Sequence, residues 1–182
     1  MIQIQKIALP VTGMEQLHAE AKEDGYDFID TLVDEWANGT NRFNAPGEII
    51  CGHLEEGLLV AVGGLTVDPF ITEPHTGRIR RVYVRSAWRN KGIGRALVST
   101  LIEEARKNFR YVRLRAENAS AARLYERMGF TSIDNPDATH ILSFEDPDAQ
   151  TNEASGSPFQ ARINARSKGN PKLINPDNSN ES

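Results

Sequence analysis

The sequence holds one cysteine, Cys51, among 182 residues. No disulfide can close within the chain, and a reducing cytoplasmic compartment is its simplest home. No run of about 18 apolar residues exists, so no segment is suited to span a membrane as a helix. The first residues, MIQIQKIALPV, have neither a basic leader nor a continuous apolar stretch. They alternate in polarity and read as a first strand, not as a signal peptide. Internal repeats are absent. His18, His75 and His140 are isolated, and only His53 has a cysteine, Cys51, on the same side of a strand. A nucleophile pair or metal site there lacks a third partner.

The formal net charge is −4, but it is unevenly spread. Arg78 to Arg115 sets twelve Lys/Arg against Glu103 and Glu104, a local excess of +10 that leaves −14 for the rest of the chain. Met1 to Glu56 sets eleven acids against Lys6, Lys22 and Arg42. A nucleic-acid-binding domain is more often basic throughout and interleaves exposed aromatics with its cations; this chain does neither. A basic segment in an acidic protein fits a local anionic ligand.

The length suits one domain with a real core. Polarity alternation predicts strands at Ile2–Leu9, Glu48–Leu54, Leu58–Val67, Ile79–Val84, Tyr111–Ala116, Thr131–Ile133 and Thr139–Phe144. Gly63-Gly64 predicts a bulge. Helical spacing predicts Met14–Lys22, Tyr26–Ala37, Ile93–Asn108 and Ala119–Met128. In the third helix Ile93, Leu97, Leu101, Ala105 and Phe109 form one apolar stripe. Asn118 is placed to cap the fourth helix and Gly129 to end it. Val112 and Leu114 face one side of their strand, Arg113 and Arg115 the other. Residues 145–182 are poor in apolar side chains and rich in Asn, Ser, Pro and Gly. They are expected to be a polar, disordered tail, with Phe159–Ile174 as the part able to fold on a partner. Residues 1–144 are then a mixed α/β domain, one sheet with helices on both faces.

The stretch RNKGIGRAL, Arg89 to Leu97, lies between a strand and a helix. Backbone amides at a helix N-terminus offer donors and a positive dipole end, which together hold phosphate. Glycine lets backbone approach an anion closely, and Arg89, Lys91 and Arg95 add charge. The loop is not Gly-x-x-x-x-Gly-Lys-Ser/Thr, and Leu97 stands where a dinucleotide fingerprint needs a third Gly or Ala. The residues alone leave two readings open, a phosphate or pyrophosphate seat and a plain strand-to-helix turn.

VYVRSAWRNKGIGRALVSTLIEEA resembles the cofactor segment of the GCN5-related N-acetyltransferase (GNAT) superfamily, Arg/Gln-x-x-Gly-x-Gly/Ala, through Arg89, Gly92 and Gly94. ENASAARLYERMGF is similar to its second motif, Asn-x-x-Ala-x-x-Leu-Tyr-x-x-x-Gly-Phe, through Asn118, Ala121, Leu124, Tyr125, Gly129 and Phe130. The resemblance covers Ile49 to Phe144, and more loosely the strand and two helices before it. It implies a mixed, mostly antiparallel sheet of six to seven strands, splayed at the strand preceding the glycine loop. It implies acetyl-CoA as co-substrate and no metal, with transfer of the acetyl group to a primary amine by direct attack through a tetrahedral intermediate.

Within that resemblance the pyrophosphate rests on the amides of Asn90, Lys91, Gly92, Ile93, Gly94, Arg95 and Ala96, beside Arg89. Val82, Tyr83 and Val84 pair with the pantetheine arm as an added strand would, one N–H polarising the thioester carbonyl. Asn118 contacts the pantetheine, caps its helix, or does both. Tyr125 resembles the general acid that protonates the departing thiolate. A phenol with a pKa of about 10 stays protonated beside a thiol of about 8.5. The implied partners are acetyl-CoA and an amine acceptor, with a homodimer allowed and neither nucleic acid nor membrane expected.

The chain departs from the pattern in its carboxylates. RIRRVYV carries Arg80 and Arg81 where many relatives place an acid, and Arg113 stands where relatives that acetylate protein N-termini often have a glutamate. Glu117, Asp68, Glu55 and Glu56 are the candidates for relaying a proton through water. Asp27, Asp30, Asp34 and Glu35 are expected on the helices walling the acceptor side, where they would favour a cationic amine. The acceptor, a small amine or a protein lysine, stays open. So does the alternative of a non-catalytic acyl-CoA-binding or regulatory module.

Overall fold

The structure, a computed structural model, describes residues 1–144, so the tail expected at 145–182 and its Phe159–Ile174 segment lie outside the described residues. The elements run β1 (Ile4–Lys6), α1 (Met14–Glu23), α2 (Phe28–Asn38), β2 (Ile49–Glu55), β3 (Leu58–Val67), β4 (Thr76–Val84), α3 (Ile93–Asn108), β5 (Tyr111–Leu114), α4 (Ala119–Arg127), β6 (Thr131–Ser132) and β7 (His140–Ser143). One seven-stranded sheet forms in the order β1-β2-β3-β4-β5-β7-β6. Neighbours are antiparallel except β4 and β5, which run parallel. A parallel pair needs a crossover, and α3 supplies it.

The predicted periodicities decide which faces are covered. Ile93, Leu97, Leu101 and Ala105 are buried, with Phe109 beyond them, and pack α3 against Cys51, Ala61, Leu65, Ile79 and Val112 of the sheet. Each fully buried Leu or Ile contributes about 1.5–3 kcal/mol. Arg106 and Lys107 close that helix, where cations favour the negative end of its dipole. The opposite sheet face packs Ile50, Leu59, Val62 and Tyr83 under α1 and α2.

Two departures from the expected strands have physical causes. β1 is an edge strand whose ladder runs only over Ile4–Lys6, opposite His53–Cys51, with the Ile7 amide adding one bond to the Ile50 carbonyl. β4 begins at Thr76, before the expected Ile79, because Gly77 is not a loop residue. A Cβ there would meet the Phe109 ring at 2.7 Å, so the strand admits no side chain at that position.

The bulge expected at Gly63-Gly64 is present, but its extra residue lies on β4. Val62 faces Tyr83 and Gly64 faces Arg80, so Arg81 and Val82 oppose Gly63 alone. Arg81 takes φ 60 to do so.

The feature that positions the site is the parting of β4 from β5. They pair only at Thr76–Tyr111, Gly77–Val112 and Arg78–Arg113. From Ile79 to Val84 the β5-side edge of β4 has no strand partner among the described residues. Its backbone groups are left for another occupant, because buried amide and carbonyl groups are costly unpaired.

Candidate active site

A cavity of about 980 Å³ opens where β4 and β5 part. Its walls come from β4, the glycine loop, the first turn of α3, the end of β5 with the residues after it, one face of α4, and Tyr26 and Phe28 before and within α2.

The glycine loop turns the chain from β4 into α3. Asn90 takes φ 61 and Gly92 φ 84, both left-handed. For Gly92 that is a backbone requirement that a side chain would strain. No side chain caps α3. The amides of Ile93, Gly94 and Arg95 therefore lack intrahelical partners, as first-turn amides do. The Ala96 amide is not available, since it already donates to the Gly92 carbonyl at 3.0 Å. That corrects the expected seat by one residue, because the helix ladder begins there. Gly94 differs from Gly92. Its φ is ordinary, and a Cβ there would meet only Val84 at 3.7 Å and Leu124 at 4.0 Å. The fold has room for a side chain at 94, so the glycine keeps that wall open to a ligand.

Of the thirteen residues singled out from the sequence, ten line the cavity: Val82, Tyr83, Val84, Arg89, Asn90, Gly92, Gly94, Arg95, Asn118 and Tyr125. Lys91, Ile93 and Ala96 do not. Lys91 is exposed, and the Ile93 side chain points into the core. Only the backbone amide of Ile93 is left to serve a ligand.

Arg89 is held more firmly than a surface cation. Its Nε donates to the Val84 carbonyl at 2.8 Å and its Nη2 to Asp24 Oδ2 at 2.6 Å. Tyr83 donates its hydroxyl to the same Asp24 oxygen at 2.8 Å. The bonds from Arg89 and Tyr83 hold the Asp24 carboxyl below its usual range. Burial and the bond to Asp24 push the Tyr83 phenol up. Asp24 follows the end of α1, so the N-terminal helices brace the glycine loop.

Asn118 both caps and bridges. Its Oδ1 accepts from the Ala121 amide at 2.9 Å, and its Nδ2 donates to the Tyr26 hydroxyl at 3.1 Å. Tyr125, seven residues on, is 6% exposed and packs against Phe130 and His140. Burial, with Glu117 nearby, pushes its phenol up to about 12. It therefore holds its proton throughout the physiological range and can only donate it.

The carboxylates fall differently from expectation. Glu117 alone among the expected relays lines the cavity. Asp68 is buried against Arg113, Glu55 accepts from His53 Nε2 at 2.9 Å, and Glu56 sits in the β2–β3 turn. The acidic wall expected from α2 is absent from the lining. Asp30 is paired with His18 and Lys22, Glu35 with Arg81, and Asp27 and Asp34 face solvent. The lining instead carries seven arginines and one acid, Glu117. The strand alternation that put Arg113 on a polar side is right in geometry, but that side is buried, and Arg113 is 0% exposed.

Cys51 and His53 take no part. Cys51 packs under α3, where burial pushes its thiol up to about 11. His53 Nδ1 lies 2.8 Å from the Gln3 carbonyl. Among the described residues no group of three His, Cys, Asp or Glu could hold a metal, and no helix is long and apolar enough to cross a membrane. The sequence reading missed Asp24 and Tyr26. An acid just past a helix end and an aromatic just before the next were the available signals, but their partners lie 65 and 92 residues away.

Comparison with known proteins agrees with this geometry. The model of the acetyltransferase (GNAT) family matches residues 12–130. An L-methionine sulfoximine/L-methionine sulfone acetyltransferase of Salmonella typhimurium is 43% identical over 53 residues, 28% of this chain and 31% of its own length. The N-alpha-acetyltransferase RimI of Mycobacterium tuberculosis is 31% identical over 106 residues, 55% of this chain and 64% of its own. The chain thus spans less than two thirds of the length of these curated relatives. A solved structure of a proposed acetyltransferase from Exiguobacterium sp. 255-15 superposes with TM-score 0.71 at 25% identity, over 79% of this chain and 93% of that one. The sheet parted beside a glycine loop, with Asn118 and Tyr125 on the facing helix, and the match over residues 12–130 place this chain in the acetyltransferase (GNAT) family.

Proposed function

We propose that the protein is an acetyl-CoA-dependent N-acetyltransferase acting on a primary amine, with residues 1–144 as its catalytic domain. The observation that carries this reading is one cleft with unpaired amides at one end, an unpaired strand edge along it and a buried tyrosine on its wall. The residues fit the co-substrate, a thioester whose carbonyl accepts an amine and whose thiolate then leaves. The first-turn amides of α3 with Arg89 and Arg95 would take its phosphates. The edge of β4 would pair with its amide-bearing arm.

The chemistry divides among this chain's groups. An N–H at the β4 bulge would donate to the carbonyl oxygen as it gains negative charge. The amine nitrogen forms a bond to the carbonyl carbon and the carbon–sulfur bond breaks. Tyr125 donates its hydroxyl proton to the departing sulfur. The proton that the amine sheds goes to water, with Glu117 as the carboxylate on the wall able to pass it on. Amide and thiol are the products, and Tyr125 is reprotonated from solvent. The relatives' names speak of amino-acid-derived acceptors and of α-amines, both primary amines.

Incubation with acetyl-CoA, a thiol detector and a panel of primary amines tests the reading. Amine-dependent release of CoA supports it. Tight acetyl-CoA binding with no release on any amine would turn it into a non-catalytic binding module.

A further inference from the structure

Arg78, Arg80 and Arg115 line the cavity, and Arg113 lies opposite Arg78 across β4 and β5; Arg78 and Arg113 are buried and Arg80 is half-buried. Arg113 is 0% exposed and Arg78 7%. One buried acid, Asp68, answers them. Its Oδ2 accepts from Arg113 Nε at 2.7 Å and lies 3.9 Å from Arg78 Nη1, while its Oδ1 accepts from the Phe70 amide at 3.0 Å. That carboxylate is shared between Arg113 and Arg78. Yet Arg78 Nη1, Arg80 Nε and both terminal nitrogens of Arg113 are buried without a hydrogen-bond partner among the described residues. Burial pulls the Arg78 guanidinium down to about 10, and Arg80 is lowered for the same reason.

Buried guanidinium groups short of acceptors are rare in folded proteins and call for a functional explanation. The co-substrate's phosphates do not supply one. The glycine loop follows Val84, and six residues of extended strand separate Val84 from Arg78, roughly 20 Å at about 3.3 Å per residue. Arg78 and Arg80 both line the cavity, at the end away from that loop. Arg78 is also fixed in place. It donates to the Asp137 carbonyl at 2.6 Å and stacks 4.6 Å from the Phe70 ring centroid. Its Nη2 is taken and its Nη1 is buried beside Asp68, so Arg78 meets the cavity as a rigidly held positive charge, which together with Arg80 suits an anion.

We propose that the acceptor is a small amine bearing a carboxylate, received by Arg78 and Arg80 with Arg113 behind them. The proposal rests on the acetyltransferase reading. The arginines orient the acceptor so that its amine faces the thioester, and they offset the cost of desolvating its carboxylate. A protein lysine on a neutral surface would leave them unpaired.

The test uses matched pairs on the full-length protein: glycine, methionine and glutamate against their α-amides. Two readouts are taken. Calorimetry on the CoA-loaded protein reports binding, and CoA release reports turnover. The amino acids are expected to bind and to exceed their amides in kcat/KM by about a hundredfold or more, as sites built around a polar partner do. Arg80→Gln is expected to raise KM for the amino acid about tenfold or more while leaving that for acetyl-CoA unchanged. Arg78→Lys, which keeps the charge and loses the rigid hold, guards against a folding defect and is expected to do the same. Equal use of acids and amides overturns the proposal and leaves the transferase standing. Acid-selective binding that Arg80→Gln abolishes, without CoA release, upholds the carboxylate site and overturns the transferase. No acid-selective binding or turnover overturns the proposal.

Discussion

Arg113 Nε donates to Asp68 Oδ2 at 2.7 Å, and neither side chain is exposed to solvent. Removing one partner leaves the other's charge buried and unpaired. Asp68→Ala is therefore expected to cost about 3–5 kcal/mol. The double variant Asp68→Leu/Arg113→Met is expected to recover most of that loss. Urea unfolding of the three proteins checks it, and a double variant as unstable as the single one would refute the pairing argument.

Gly94 separates folding from binding. Its backbone conformation and its surroundings accept a side chain, and alanine in a helix is about 0.5–1 kcal/mol better than glycine. Gly94→Ala is expected to melt at a higher temperature and to bind acetyl-CoA more weakly. Thermal melts and calorimetric titration read the two effects. A variant that is more stable and binds normally would show that nothing approaches the backbone there.

Asn118 holds two contacts that substitution can part. Asn118→Ala is expected to lose about 1 kcal/mol with the cap. Asn118→Ser keeps a capping oxygen but cannot reach Tyr26, so it is expected to restore stability and not acetyl-CoA affinity. Recovery of both by serine would leave Asn118 as a cap alone.

These contacts also mark how far the sequence is legible. A continuous apolar stripe bounds α3 at Ile93 and Asn108, and the asparagine cap together with Gly129, which takes φ 99, marks α4. The glycine loop on one side, and Asn118 with Tyr125 on the other, stand out because each lies within one short local motif. Arg113 and Asp68 are 45 residues apart, and Asn118 and Tyr26 are 92 apart. Local periodicity carries no record of such pairs. It correctly put Arg113 opposite Val112 and Leu114, but it had no means of showing that the opposite face was also covered. The acidic wall expected from α2 failed for a related reason, since Glu35 and Asp30 are spent on Arg81, His18 and Lys22.

Tyr125 makes a prediction about alkaline pH. Its phenol is raised by burial, then by Glu117, from the ordinary value of 10.0 to about 12. A group whose folded pKa is raised lends stability that is full below the unfolded value and is lost as pH climbs through the folded one. The window is pH 10 to about 12. The shift of two units, at about 1.36 kcal/mol each, amounts to roughly 3 kcal/mol. Unfolding of wild type is expected to steepen with pH across that window, and Tyr125→Phe to lack that share of the slope. Identical slopes would contradict the burial of the hydroxyl.

The most direct test of the account is the turnover number of Tyr125→Phe with a productive amine, measured beside its acetyl-CoA dissociation constant. With a general acid removed and the cleft otherwise intact, kcat is expected to fall by about 10²–10⁴-fold while acetyl-CoA binding is unchanged. An unchanged kcat would contradict the role assigned to Tyr125 and leave it an aromatic of the α4 core.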